Sequence, residues 1–351
     1  MNMLELLRTA AEAQASDVYV IAGLPASVRR NKKIEQEYPE KLLPADTERL
    51  LTELYELADH RSMDTLLKTG DDDFSFSIKD LSRFRVSAFK QRGSLSAVVR
   101  VITFTLPDYR QLGIPDAVMN LADSRQGMVL VTGSAGSGKS TTLACIIDRI
   151  NKTREVHVIT LEDPLEYLHR HDKSIVTQRE IGSDTVSYVK ALRAALRQSP
   201  DIILLGEMRD YETIDVAMTA AETGHLLFST LHTMGAANTI ERIIDVFPAN
   251  QQRQIAVQLS MVLNAVVSQQ LVPALDGTMV PVFEIMTVTP AIRAMIRDNK
   301  VHQIEGLVSA SAKAEMCSMD ASLASLCQKR IISRETALSY ASNPELLSKK
   351  I

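Results

Sequence analysis

Gly133-Ser134-Ala135-Gly136-Ser137-Gly138-Lys139-Ser140 constrains this chain more than any other stretch. It fits the phosphate-loop pattern G-x-x-x-x-G-K-[ST] without a mismatch. Met128 to Val131 before it is a short apolar run suited to a buried parallel strand. Thr141 to Asn151 after it reads as a helix, with Leu143, Ile146, Ile147 and Ile150 on one stripe. A glycine-rich turn before any helix is the alternative, and this strand–loop–helix context weighs against it. Glycines let the backbone wrap an anion, so that successive N–H groups face phosphate oxygens at a helix N-terminus. Ser134, Ala135, Gly136, Ser137, Gly138, Lys139, Ser140 and Thr141 are therefore the expected nucleotide contacts. Lys139 is expected to reach the β- and γ-phosphates of ATP, and the Ser140 hydroxyl to ligate Mg²⁺.

A phosphate loop needs a neighbouring strand that ends in a carboxylate. Ile202 to Leu205, then Gly206 and Glu207, supplies one: four branched apolar residues for a central strand, with the acid at its exit. Glu207 would hold a Mg²⁺-bound water or orient the attacking one. Glu162-Asp163-Pro164-Leu165-Glu166 follows a second such strand ending at Leu161. For Glu162 and Asp163 the expected roles are general base and metal partner. A helix N-cap with acidic first-turn residues accounts equally well for Asp163 and Glu166, less well for Glu162. His225 and His232 flank a third strand, and their spacing is not a compact metal motif.

Around these boxes the chain changes character. Residues 1–105 read as α+β with an antiparallel sheet. A first helix over 3–15 carries Leu4, Leu7 and Ala11 on one stripe, and strands are expected over Asp17–Ile21 and Val28–Ile34, the latter at an edge because of its basic residues. A helix follows over Asp46–Leu57. Alternating stretches at Phe74–Ile78 and Phe84–Phe89, a Gln91-Arg92-Gly93 turn and a return strand over Ala97–Phe104 complete the unit. Prolines and Gly113 punctuate a linker at 106–115. Helices and buried strands then alternate as in a doubly wound sheet over 116–289, closing with a long helix over Asn250–Leu271 and a last strand over Val280–Ile285. Residues 290–351 read as a helical extension.

Composition excludes little but helps. Lys+Arg 39 against Asp+Glu 43, net −4, argues against nucleic acid as the main partner. No apolar run reaches membrane-span length and Met1–Ala15 lacks a secretory core, so a cytoplasmic protein is expected. Cys145, Cys317 and Cys327 form no C-x-x-C pair, so neither a disulfide framework nor a zinc site is expected.

Together the boxes GSAGSGKST (133–141), ITLEDPLEY (159–167), DIILLGEMRD (201–210) and TGHLLFSTLHT (223–233) resemble those of the hexameric type II/IV secretion ATPases, and within them the type IV pilus retraction motors. The resemblance covers nearly the whole chain. SDVYVIAGLPASVRRNKK (16–33) is similar to that family's PAS-like N-terminal domain, and RFRVSAFKQRG (83–93) to its arginine strand. Ala291 to Asp298 resembles the retraction motors' AIRNLIRE box, and the paired-cysteine motif of many assembly motors is missing from the sequence. Departures are Ser134 for proline, Ala135 for threonine, Tyr19 for histidine and Ala294-Met295 for Asn-Leu.

The resemblance implies a PAS-like domain, a RecA-like P-loop ATPase domain and a C-terminal helical subdomain. It implies a homohexamer that hydrolyses ATP with Mg²⁺ and acts on a pilus platform protein at the inner face of the cytoplasmic membrane. It implies catalytic His232, nucleotide-sensing His225, and Arg85 and Arg100 reaching the next subunit's nucleotide. An assembly motor or an accessory retraction subunit is the alternative within the class. A nucleic-acid motor and a scaffold without turnover lie outside it. In the last box, Ile292, Met295 and Ile296 form an apolar stripe, with Arg293 and Arg297 on an adjacent face.

Overall fold

A computed structural model describes all residues except 31, 32, 103, 105 and 312–314. The chain divides into two units: Met1–Thr105 with Leu165–Leu168, and Leu106–Pro164 with His169–Ile351.

In the first unit, α1 (Met3–Glu12) starts at a capping box in which the Asn2 side chain accepts from Glu5 N and Glu5 accepts from Asn2 N. Its buried stripe is Met3, Leu6, Leu7 and Ala10. The expected stripe is therefore corrected: Leu4 is exposed and the buried face is rotated toward Met3 and Leu6. Six antiparallel strands follow in the order β3-β2-β1-β6-β5-β4. They are β1 (Asp17–Val20), β2 (Pro25–Arg30), β3 (Lys33–Lys41), β4 (Asp71–Ile78), β5 (Ser82–Gln91) and β6 (Ser94–Ile102). The expected Val28–Ile34 strand crosses residues 31 and 32, outside the described residues; on either side of them lie β2 and β3. The edge strand is β3, not β2. Its charged, exposed sequence carries little apolar alternation, which is what an edge needs and what hides it from pattern reading. The expected return strand likewise passes through residue 103, outside the described residues. Arg92 and Gly93, both at positive φ, make the two-residue turn between β5 and β6. Helices α2 (Pro44–Leu57) and α3 (Asp64–Thr69) complete the unit, and Leu50, Leu51 and Leu54 of α2 are fully buried in its core.

In the second unit a seven-stranded mixed sheet runs in the order β13-β12-β7-β11-β10-β8-β9. Its strands are β7 (Gly127–Thr132), β8 (His157–Glu162), β9 (Ile175–Glu180), β10 (Ile202–Leu205), β11 (Leu226–Leu231), β12 (Leu263–Pro273) and β13 (Met279–Thr287). All neighbours are parallel except the β12–β13 hairpin. Every side chain of β7, β10 and β11 is buried, as continuous apolar runs covered on both faces demand. The helices before and between are α4 (Asp116–Met119), α5 (Lys139–Thr153), α6 (Tyr188–Ala195), α7 (Tyr211–Glu222), α8 (Ala236–Asp245) and α9 (Ala249–Val262). Those after the sheet are α10 (Pro290–Arg297), α11 (Ile304–Ala310), α12 (Met319–Gln328), α13 (Arg334–Ser339) and α14 (Pro344–Ser348).

The long helix expected over Asn250–Leu271 is corrected: it ends at Val262 and the chain continues as β12. Two things break it. Arg293 Nη1 takes the carbonyls of Ser260 (2.5 Å) and Met261 (2.7 Å), closing the helix end. Asn264 Nδ2 then donates to Gln126 O (2.6 Å), and β-branched Val266 and Val267 enter the sheet beside β7. β9 also escaped the sequence reading, since its polar, half-exposed residues carry no apolar run.

Candidate active site

The phosphate loop leaves β7 and enters α5 with Gly133, Gly136 and Gly138 at positive φ. At Gly133 a Cβ would lie 2.2 Å from Gln269 O, and at Gly138 it would lie 2.9 Å from Gln269 Nε2. Only glycine fits these two places. Lys139 is buried, and its Nζ donates to the carbonyls of Gly133 and Ser134, both at 2.9 Å. An ammonium held inside its own loop stands where the phosphates of a nucleotide would take it over, because charge-assisted bonds to phosphate are the stronger ones. Ser137 is buried with an Oγ that has no hydrogen-bond partner among the described residues, a spare donor within the cradle. Ser134, Ala135 and Gly136 are exposed, and Ser140 and Thr141 half-buried, at the first turn of α5. The loop thus fits a nucleotide polyphosphate. Ser140 and Glu207 supply the one hydroxyl and one carboxylate that a phosphate-bound Mg²⁺ ordinarily takes from protein.

Because β7, β11, β10 and β8 are parallel, their exits share one edge of the sheet. The phosphate loop, His232, Glu207 and Glu162 follow one another along it, the strands of Glu207 and the loop about 10 Å apart. Glu207 Oε2 is 2.6 Å from Arg209 Nε and 3.4 Å from His232 Nε2. The Glu207 side chain is 13% exposed, against 72% for Arg209 and 50% for His232. Glu162 Oε1 accepts from Gln178 Nε2 of β9 at 3.5 Å. Asp163 is exposed. Burial first, then the carboxylates of Glu207, Asp163 and Glu162, push the Tyr188 hydroxyl above its ordinary range. That hydroxyl would lie 2.8 Å from a Cβ on Gly206, so the glycine before Glu207 leaves room for Tyr188.

The other expected residues fall elsewhere. His225 is corrected out of this chain's own phosphate site: it precedes β11, at the opposite edge of the sheet, roughly 20 Å from His232 by strand rise. There its Nδ1 lies 3.0 Å from Ala220 O and 3.2 Å from Thr223 Oγ1, at the end of α7. Arg85 and Arg100 face each other across the β5–β6 ladder of the first unit, and Arg100 Nε donates to Asp17 Oδ1 at 3.1 Å. Asp210, at the end of the Glu207 box, caps α7 through Thr213 N (2.9 Å). In the last box Ile292 and Ile296 are fully buried, and the two arginines part company. Arg293 closes α9, while Arg297 is exposed beside Asp298.

Sequence reading missed Gln269, Tyr188, Arg209 and Gln178. Arg209 carried a signal, lying two residues beyond Glu207. Gln269 carried none, because its stretch read as helix.

Comparison with known proteins gives a consistent picture. Residues 5–320 match the family model described as type II/IV secretion system protein. The chain is 42% identical over 345 residues to the type IV pilus retraction ATPase PilT of Pseudomonas aeruginosa, a match covering 98% of this chain and 99% of that protein. It is 38% identical over 342 residues to the type IV pilus ATPase PilU of the same organism, covering 97% and 89%. Its fold matches the crystal structure of the pilus retraction motor PilT with bound ADP at a TM-score of 0.89, with 43% identity and 99% of both chains covered.

Proposed function

The chain belongs to the type II/IV secretion system protein family, and on that premise we propose that it is a Mg²⁺-dependent ATP hydrolase that powers retraction of a type IV pilus. The observation that carries the chemistry is the shared sheet edge: a glycine cradle holding Lys139, with His232, Glu207 and Glu162 beside it. The end-to-end likeness to a retraction motor supports the direction of work. The loop amides, Lys139 and Ser137 bind the phosphates. Ser140 and Glu207 hold Mg²⁺, which supplies charge neutralisation at the transferring phosphoryl group. Glu207 and Glu162 line the place where water is activated. The partners of Glu207 are the exposed Arg209 and the half-exposed His232, which a bound nucleotide can displace.

In this reading residues 1–105 are a PAS-like domain, 106–115 a linker, 116–289 a RecA-like motor domain and 290–351 a helical subdomain. Six copies form a ring, and Arg100, released from Asp17, and Arg85 reach the neighbour's nucleotide. The ring works from the cytoplasm on an inner-membrane platform protein; no helix among the described residues is long and apolar enough to cross a membrane. Deletion of the gene in its host, with pili counted by microscopy, tests the reading. Hyperpiliated, non-motile cells are expected, and bald cells would make the chain an assembly motor. The likeness to the type IV pilus ATPase PilU supports one second reading, a pilus ATPase other than the retraction motor itself; in that case deletion leaves retraction intact.

A further inference from the structure

We infer that Gln269 is a positioning residue that sets the shape of the phosphate loop, and with it the affinity for nucleotide phosphates. This rests on the nucleotide-site reading above. Gln269 lies on β12, 3% exposed, and touches the loop at two points and the helix after it at a third. Its backbone oxygen occupies the space a Cβ on Gly133 would need, at the start of the loop. Its Nε2 lies against Gly138, at the end of the loop, 2.9 Å from the place of a Cβ there. Its Oε1 accepts from Thr142 Oγ1 at 2.7 Å, on the first turn of α5, and Thr142 is fully buried. One residue therefore spans the loop, its backbone at the first glycine and its side chain at the last glycine and the helix that follows.

The residue before it makes the same connection on the other face of the strand. Ser268 Oγ lies 2.6 Å from Thr132 Oγ1, the last residue of β7, and accepts from Gly235 N at 2.8 Å. A register irregularity between Leu263 and Ala265 sets the phase of β12 against β7. A slip of one residue would exchange the two faces and take Gln269 from under the loop. The loop's own bonds within α5 and to Lys139 hold it locally, whereas Gln269 fixes the distance between its two ends. That distance decides whether successive amides converge on the same oxygens.

Binding of ADP and of AMP to the full-length protein, measured by calorimetry with Mg²⁺ present, tests this. The loop holds the phosphates beyond the first, so a loosened loop weakens ADP far more than AMP. Gln269→Ala is expected to raise the ADP Kd about tenfold, one lost buried hydrogen bond, with AMP changed by less than about twofold. Gln269→Glu keeps the acceptor for Thr142 and replaces the amide at Gly138 by a carboxylate oxygen. It is expected to weaken ADP more than Gln269→Ala does, with the excess reduced by salt. Thr142→Val removes the shared contact from the helix side, and the double variant with Gln269→Ala is expected to cost no more than Gln269→Ala alone. A merely structural role would lower the melting temperature and leave the ADP-to-AMP ratio untouched. That result, in Thr142→Val alone if neither Gln269 variant folds, overturns the inference. A wild-type protein that binds no ADP would instead overturn the nucleotide-site reading on which it stands.

Discussion

Asp72 in the first unit and Glu207 in the second are both carboxylates drawn largely out of water, and their surroundings differ in kind. Asp72, on the buried face of β4 beside Phe74 and Phe76, receives Tyr55 OH at 2.9 Å and the Arg61 fork at 3.1 and 2.9 Å. Arg61 also lies over the Phe74 ring, 4.8 Å from its centre. Burial, with Asp72 adding to it, pushes the Tyr55 hydroxyl well above its ordinary range, so Tyr55 stays a donor. Both oxygens of Asp72 are taken by donors of its own unit, three bonds in all. Glu207 has instead one guanidinium, Arg209, with most of its surface in water, and one half-exposed imidazole, His232, at 3.4 Å. A saturated carboxylate holds a fold together; one whose partners are exposed is available to a metal-bound water. Burial is common to both acids, and what separates them is how far their partners are exposed.

Perturbing each side of this contrast should produce different losses. The largest is expected for Lys139→Ala. Removing the only buried ammonium that the loop holds should bring ATP turnover to background and weaken ATP binding on the order of a hundredfold, by loss of charge-assisted phosphate bonds. Near-normal ATP affinity in that variant, measured by titration, would place the phosphates elsewhere. Asp72→Ala comes next and should act on stability only. It strands Tyr55 and Arg61, and because Arg61 is 41% exposed the cost is about 2–3 kcal/mol, below that of a fully buried pair. Denaturant melts check it. Weakened ATP binding at unchanged stability would erase the contrast between the units. The smallest effect is expected for Arg100→Ala, which gives up an exposed guanidinium's bond to the buried Asp17 carboxylate in its own chain, where Arg29 remains 3.8 Å from Asp17. ATP binding should stay near normal and turnover fall about tenfold, the loss of one charge-assisted bond. Rings mixed with Lys139→Ala subunits should regain part of the activity. Absence of rescue in rings proven to mix would confine Arg100 to its own subunit.

The parts legible in the sequence are those whose physics is local. The phosphate loop announces itself because glycine, lysine and serine must fall at fixed offsets between a strand and a helix. Glu207 is legible because β10 is a continuous apolar run that ends two residues before it, and Glu162 because it closes a mostly buried β8. The turn at Arg92-Gly93 is likewise a matter of two residues. What escaped depends on distant partners. Gln269 meets Thr142 across 127 positions and Ser268 meets Thr132 across 136. No window of sequence contains either pair. The Asn250–Leu271 stretch has apolar residues at spacings that suit a helix, and its break comes from Arg293 and from Gln126, far along the chain. Periodicity makes Arg293 a solvated charge on a short helix and the resemblance makes it part of the retraction box, and only the fold reveals that it closes α9. β3 and β9 were missed because these two edge strands carry few buried apolar residues, unlike β4 at the other edge of the first sheet, whose Phe74 and Phe76 alternate. His225 and His232 look equivalent in sequence, one at each end of a strand, and a parallel strand sends its two ends to opposite edges of the sheet.

The central claim is that Glu207 is held for chemistry and not for the fold. Glu207→Gln removes the charge and keeps the shape, so a filter-binding and turnover measurement on this one variant tests it most directly. ATP is expected to bind with near wild-type affinity and to remain ATP, with hydrolysis lower by a factor on the order of a hundred to a thousand and the melting temperature unchanged. ADP produced at the wild-type rate by the Glu207→Gln protein would contradict the account.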